Sequence, residues 1–443
     1  MRSRSKDALL VVLTLLTAIS HASFIGAPGW PSDQPIASAA VLPWLMTTTL
    51  LTAALAVTVS NSLVVAHGST RVVLGAAGAL CLGSALGAAF ADSLPALIAA
   101  RLLQGMSAVA VPVALTPAIG GTQRAVGAGA ALAIGTVLGV PVGSLLFDVG
   151  GLSLLFAGPA IVGAVVLAGL ATAGHVSTSS GVPVDIPTPD LAVDRHAHLV
   201  TDLTSGLSLA VGLGAMSQAS LGRWTTASVL VTAAAAVAVV AYRRARGLAP
   251  SEGRIGGGRL RSGLRLPILH AASALLGFAM FANLMALGLA SPAAGDALGL
   301  RTFVICLVGA VLSAVTVLVS SLGGGRRAAS RTLVTGCGAA SAGFALNLSQ
   351  ESSWVVVAGT LACFVGISMA YAALPVVCAA AVAPRPATHT AARNTLYRSL
   401  GTAAASVLLG TTGATGPHAG GALAAASAGL LALVSTRSDR HRP

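Results

Sequence analysis

Fourteen apolar stretches divide this chain of 443 residues, and that pattern leaves few folds open to it. They fall at 8–28, 38–60, 72–91, 94–117, 125–147, 152–174, 200–221, 224–243, 267–290, 300–322, 331–348, 353–383, 391–412 and 419–436. A helix needs ~20 apolar residues to cross a ~30 Å hydrocarbon core. Charged residues are only 8% of the chain, where a soluble domain carries about 25%. Backbone polar groups must be paired within lipid, so the spanning elements are helices or a closed barrel. Runs such as Val229–Val240 are continuously apolar and lack the alternation of barrel strands. The expected fold is all-α and polytopic, with 14 transmembrane helices.

Basic residues set the orientation. With the N-terminus in the cytoplasm, 21 of the 25 Lys and Arg fall in cytoplasmic segments. They include Arg2, Arg4, Lys6, Arg71, Arg124, the group from Arg243 to Arg265, Arg326, Arg327, Arg331 and the tail from Arg437 to Arg442. Arg223 and Arg301 face outward, and Arg101 and Arg398 lie within spans. Trp30, Trp44, Trp224 and Trp354 all fall at outer helix ends, where indole favours the headgroup region. Both termini are therefore expected in the cytoplasm, in a multi-pass protein of the cell membrane. The opening Met1–Lys6 and its apolar run are similar to a signal peptide. The run is long for a signal core and thirteen spans follow it, so an uncleaved first helix is expected.

The net charge of +13 does not indicate nucleic acid. Its basic residues are spread over loops, where they orient the chain and meet anionic lipid. Cys81, Cys306, Cys337, Cys363 and Cys378 all lie in spans without metal or disulfide spacing, and read as small buried residues. Lys6 is the only lysine, which excludes a phosphate loop with its Gly-Lys-Ser/Thr ending. Neither a His-Glu-x-x-His helix nor a Gly-x-Ser-x-Gly elbow is present. No enzyme activity, metal or cofactor is expected.

Residues 175–199 break the apolar pattern with three prolines and scattered acidic residues, and read as a solvated linker. Six spans precede it and eight follow. A faint repeat links 60–75 with 321–336, each a Gly-containing turn with arginine before the next helix. Repeated halves build two bundles around a central site in many transporters. The expected organisation is a six-helix bundle at 1–174, the linker at 175–199, two central helices and a loop at 200–266, and a second six-helix bundle at 267–443.

Three segments carry chemistry. In span four, Arg101 lies inside the membrane, Gln104 shares its helix face, and Gly105 admits a close neighbour. Arg101 must face protein or water, or reach back to the interface. In span five, Gly135, Gly139 and Gly143 form one smooth stripe, and Pro141 removes a helix hydrogen bond. Such a kinked, close-packing helix suits a seam between moving bundles. The third segment is the short turn holding Gly68 and Arg71.

Together these segments resemble the major facilitator superfamily. Arg101-x-x-Gln104-Gly105 is similar to its fourth-helix motif. Gly139-Val-Pro141-Val-Gly143-Ser144 is similar to the antiporter motif Gly-Pro-x-x-Gly-Gly, with Val140 ahead of the proline. Fourteen spans, Asp202 and Gly206 opening span seven, and Arg393-Asn394 through Arg398 and Gly401 in span thirteen resemble its drug:proton antiporter branch. Val65 stands where the family carries Asp, although Gly68 and Arg71 remain. The family's first-helix Asp is also missing, and Ser20 and His21 are the nearest polar residues.

The resemblance implies a two-bundle secondary transporter that exports a small amphiphilic molecule, such as an antibiotic, by alternating access and proton coupling. Proton-coupling candidates are His21, which titrates near neutral pH when unperturbed, and Arg101. His21 equally fits a histidine hydrogen-bonded to a neighbouring helix. A cavity should draw polar and large side chains from facing helices. The candidates are Thr47, Thr48 and Gln104 from the first half, and Phe278, Phe281, Asn283, Met285 and Tyr371 from the second. Arg101, with few carboxylates around it, favours anionic or neutral substrates. The expected partners are a small-molecule substrate, protons and membrane lipid, with the protein working as a monomer. Two readings stay open beside this one: a proton-independent facilitator, and a non-transporting receptor or enzyme subunit.

Overall fold

The computed structural model describes residues 2–25, 41–172, 259–289, 297–322, 325–349, 353–380, 387–409 and 416–437. Among them every long element is a helix. We number these α1 (Arg2–Ala22), α2 (Val41–His67), α3 (Ser69–Ala89), α4 (Leu94–Met106), α5 (Ala110–Leu115), α6 (Pro117–Thr172), α7 (Arg259–Leu289), α8 (Ala297–Leu322), α9 (Gly325–Ser349), α10 (Ser353–Ala380), α11 (Ala387–Leu409) and α12 (Gly416–Arg437). Single 3-10 turns follow α1 at Ser23–Ile25 and join α4 to α5 at Ser107–Val109.

Six segments of the described residues are long and apolar enough to cross a membrane: Ser69–Ala89, Leu94–Leu115, Gln123–Phe147, Val149–Thr172, Leu266–Leu284 and Trp354–Ala380. The protein is a multi-pass membrane protein. The expected count of fourteen is not reached among the described residues. The spans expected at 200–221 and 224–243, and the linker at 175–199, lie outside them.

Three spans differ in detail from their sequence reading. Span four is broken between α4 and α5. Pro112 has no N–H to give to the carbonyl of residue 108, and the Ala110 N–H instead reaches back to Ser107 O in the tighter 3-10 pattern. Spans five and six run together as the 56 residues of α6. A straight rod of that length would measure roughly 84 Å. It is turned back at Gly151, whose φ of 61° lies in the left-handed region where a side chain is strained. Three contacts show the reversal. Leu146 lies against the Cβ position of Gly158, and α1 meets both arms, with Val11 beside Gly127 and Leu9 beside Gly169.

Helices α1 to α6 pack mainly on one another, and so do α7 to α12. The first group is built around Leu13, Ala77, Leu80, Ala114 and Leu115. The second is built around Leu269, Leu276, Phe344, Phe364 and Leu374. The groups meet along two seams. In one, Ala133, Val137 and Val140 of α6 enter the second core. In the other, Ala53 and Val57 of α2 pack with Ala392 and Leu396 of α11.

The glycine stripe of α6 is not on either seam. A Cβ at Gly135 would meet Leu15 O, one at Gly139 would meet Ile19 O and Ala22, and one at Gly143 would strike Ser23 O. The stripe therefore seats α1 within the first group. Two residues along a helix turn the face by about 200°, so Ala133 and Val137 point away from that stripe toward the other group. The sequence reading suited this helix to a seam between bundles; its smooth face lies against α1. Gly68 stands between the helices: its φ of 80° lets α2 end and α3 begin one residue apart, with Arg71 exposed in the first turn of α3.

Candidate functional site

Two buried arginines organise the interior, and they do different things. Arg101 of α4 has 0% exposure. Its Nη1 donates to Ser20 O at 3.0 Å and to Gln104 Oε1 at 2.7 Å. Its Nε donates to Leu45 O at 3.4 Å and its Nη2 to His21 O at 3.5 Å. The guanidinium carbon lies 4.0 Å over the Phe24 ring, which is braced edge-on by Phe156 at 5.2 Å. Ser20 and His21 belong to the last turn of α1, whose carbonyls have no intrahelical donor and carry the negative end of the helix dipole. Arg101 thus ties the end of α1 and the start of α2 to α4. It does not reach out to the interface.

Gln104 extends the tie. Its Nε2 donates to Ser84 Oγ of α3 at 2.9 Å, and its backbone oxygen faces His21 Nε2 at 3.1 Å and Ser107 Oγ at 2.6 Å. Gly105 is packed on α2, where a Cβ would meet Thr49 O. A carbonyl can only accept, so Nε2 of His21 carries the hydrogen, and Nδ1 is the free acceptor of the neutral ring. His21 is thus hydrogen-bonded to a neighbouring helix, and it also lines a cavity.

That cavity, of about 120 Å³, lies between the two helix groups. The first group supplies Thr17 and His21 of α1, Val57 of α2, Val111 of α5 and Thr136 of α6. The second supplies Met280, Phe281 and Leu284 of α7, Tyr371 of α10, and Thr395, Arg398, Ser399 and Thr402 of α11. The wall is mostly apolar with a few convergent polar groups, which is the usual make-up of a small-molecule site.

Arg398 is the second arginine, 5% exposed. Its guanidinium carbon sits 4.5 Å over the Tyr371 ring, and Nη2 donates to Thr395 Oγ1 at 3.4 Å. The Tyr371 hydroxyl donates to Leu276 O at 3.4 Å, which fixes the ring as a platform. Close packing of α7 on α11 presents this arginine: a Cβ at Gly277 would strike Arg398 O, and one at Gly401 would strike Ala274 O.

Of the residues expected to line a cavity, the structure brings His21, Phe281 and Tyr371 together here. Arg101, Gln104 and Gly105 are instead parts of the tie within the first group. Thr48, Phe278 and Asn283 are not among this cavity's lining residues; Phe278 packs on the core of the second group and Asn283 is buried. The side chains of Thr47 and Met285 lie outside the described residues. Sequence reasoning did not select Arg398, Thr17, Thr136, Met280 or Thr395 for the cavity. For Arg398 a signal existed, because an ionisable residue inside a span marks a functional position by default.

Known structures with the same arrangement exist. The human organic anion transporter MFSD10 (TETRAN) aligns with 15% identity and a TM-score of 0.63 over 98% of each chain. The xylose transporter XylE from E. coli, in a partially occluded inward-open conformation, aligns with 12% identity and a TM-score of 0.59 over 99% of each chain. The POT family transporter PepTSo aligns with 16% identity and a TM-score of 0.60, over 98% of this chain and 97% of the other. At these identities the likeness shows a shared fold and no more. No family model and no curated protein matches the sequence.

Proposed function

We propose that the protein is a secondary transporter that exports a small amphiphilic molecule, of the drug or antibiotic kind, across the cytoplasmic membrane. The observation that carries this reading is the cavity between the helix groups, lined from both sides by apolar walls and a few polar side chains. A site shared by two packed bundles is what alternating access requires. In this reading 1–174 and 267–443 are the moving bundles, 175–199 is a cytoplasmic linker, and 200–266 adds two central helices. Both termini are cytosolic, and the protein works as a monomer within lipid. The drug:proton antiporter branch supplies the export direction. MFSD10, XylE and PepTSo are described by different cargoes, so they support transport and leave the substrate open.

Protons are the counter-ion in this reading, and His21 carries them. It lines the cavity, and with Nε2 donating to Gln104 O the other ring nitrogen is the one that would take a proton. In everted vesicles an acid-inside proton gradient, in which protons leave as drug enters, is expected to accelerate drug accumulation, and His21→Asn is expected to remove about tenfold of that acceleration while drug–drug exchange continues. Unchanged gradient-driven flux in His21→Asn would remove His21 from the coupling. One observation favours a second reading, a proton-independent facilitator: no Asp or Glu occurs among the described residues lining the cavity. Flux in proteoliposomes that is equal with and without a pH gradient would select it.

A further inference from the structure

We propose that the cavity is a seat for an organic anion, with the Arg398 guanidinium as its anchor and a carboxylate or sulfonate on a single ring or short chain as the ligand. The proposal rests on reading the cavity as the transport site, and adds the substrate class.

The contrast between the two arginines carries it. Both are buried, and a buried charge needs its hydrogen bonds met. Arg101 meets four oxygens and is fully engaged in holding helices. Among the described residues Arg398 has one hydrogen bond, to a threonine of its own helix, and its Nη1 has no partner. Among the described residues the ion pair present is Arg124–Asp7, at 3.2 Å, elsewhere in the first group. Cation–π contact with Tyr371 steadies the guanidinium plane but satisfies no N–H. A guanidinium offers a planar fork that matches an oxyanion with two parallel bonds. Met280, Phe281 and Leu284 offer an apolar wall for the body of such a ligand. The volume sets an upper bound: a cavity of ~150 Å³ holds a benzene ring, and this one, at about 120 Å³, admits a ligand body no larger than one ring or a short chain.

Benzenesulfonate and benzenesulfonamide make the test, since they share a ring and differ in charge. Both are titrated into the purified full-length protein in detergent by calorimetry at millimolar ligand. The parent protein is expected to prefer the sulfonate by about tenfold or more, the weight of one charge-assisted fork. Arg398→Gln is expected to abolish that preference while leaving sulfonamide binding in place. An Arg398→Gln protein that keeps the full preference, or a parent that shows none, overturns the proposal. Should Arg398→Gln fail to fold, Arg398→Lys decides. Its ammonium keeps the charge without the fork, so about threefold weaker sulfonate binding is expected, and unchanged binding overturns the proposal. These measurements need no bilayer. Arg398-dependent binding in a protein that moves neither compound in proteoliposomes sustains the anion seat and removes the transporter reading.

Discussion

Arg101→Ala is expected to destabilise the protein by about 3 kcal/mol or more, read as the shift of an SDS unfolding titration in detergent micelles. The substitution removes one partner and leaves the others. Ser20 O, His21 O, Leu45 O and Gln104 Oε1 stay in place without this donor, and Phe24 loses the cation above it. Leaving a buried acceptor unmet costs roughly 1–3 kcal/mol each, whereas deleting both sides of a polar contact is often neutral. Ser20 O and Leu45 O keep the Ser23 and Thr49 hydroxyls as donors, so the uncompensated loss falls on His21 O and Gln104 Oε1, and it exceeds the relief from no longer burying the guanidinium. Arg101→Lys should recover only a minor share, because one ammonium cannot span carbonyls from α1 and α2 together with an amide on α4. An Arg101→Ala protein within about 0.5 kcal/mol of the parent would show that this residue does not hold the helix ends together.

Gly401→Leu should be the most damaging substitution in the second helix group. A Cβ at Gly401 already strikes Ala274 O, and the reciprocal Gly277 faces Arg398 O. Both obstacles are backbone, so no rotamer change relieves them, and α7 and α11 must part. Overpacking of this kind costs typically 1–3 kcal/mol for added methylenes, and a whole side chain against a carbonyl lies at or beyond the upper end. The separation would also shift Arg398 off Tyr371, so ligand binding should fall together with stability. Gly78→Ala is the matching control, since nothing lies within 4 Å of its Cβ position. It should be neutral or stabilising by up to ~1 kcal/mol, the helix-propensity difference between the two residues. Equal unfolding midpoints for Gly401→Leu and Gly78→Ala would refute the close α7–α11 contact.

Much of the helical layout is legible in the linear pattern. Expected spans at 72–91, 94–117 and 353–383 correspond to Ser69–Ala89, Leu94–Leu115 and Trp354–Ala380, because hydropathy depends on local composition alone. What the pattern hides is rotation. A glycine stripe announces that some helix comes close, but not which one, and the stripe of α6 turned out to seat α1. Arg101 and Arg398 look alike in sequence, both polar exceptions within spans. Both lie over an aromatic ring, and the other neighbours distinguish them: helix-end carbonyls around the first, an open cavity beside the second. For the same reason Phe281 was found and Met280 was not. Adjacent residues on a helix differ by about 100° in direction, and no one-dimensional signal says which of them faces the other bundle.

The native thiols bear on how the protein can be studied in motion. Cys306, Cys337, Cys363 and Cys378 are buried, and Cys81 is held against Ala160 O at 3.7 Å. Maleimide dyes arrive through water and attack thiolates, so such packed sites should label slowly. A pair of cysteines introduced at exposed helix ends, one per bundle, would then outcompete the native five in a brief reaction. Distance-sensitive fluorescence could follow opening and closing in the otherwise unaltered chain.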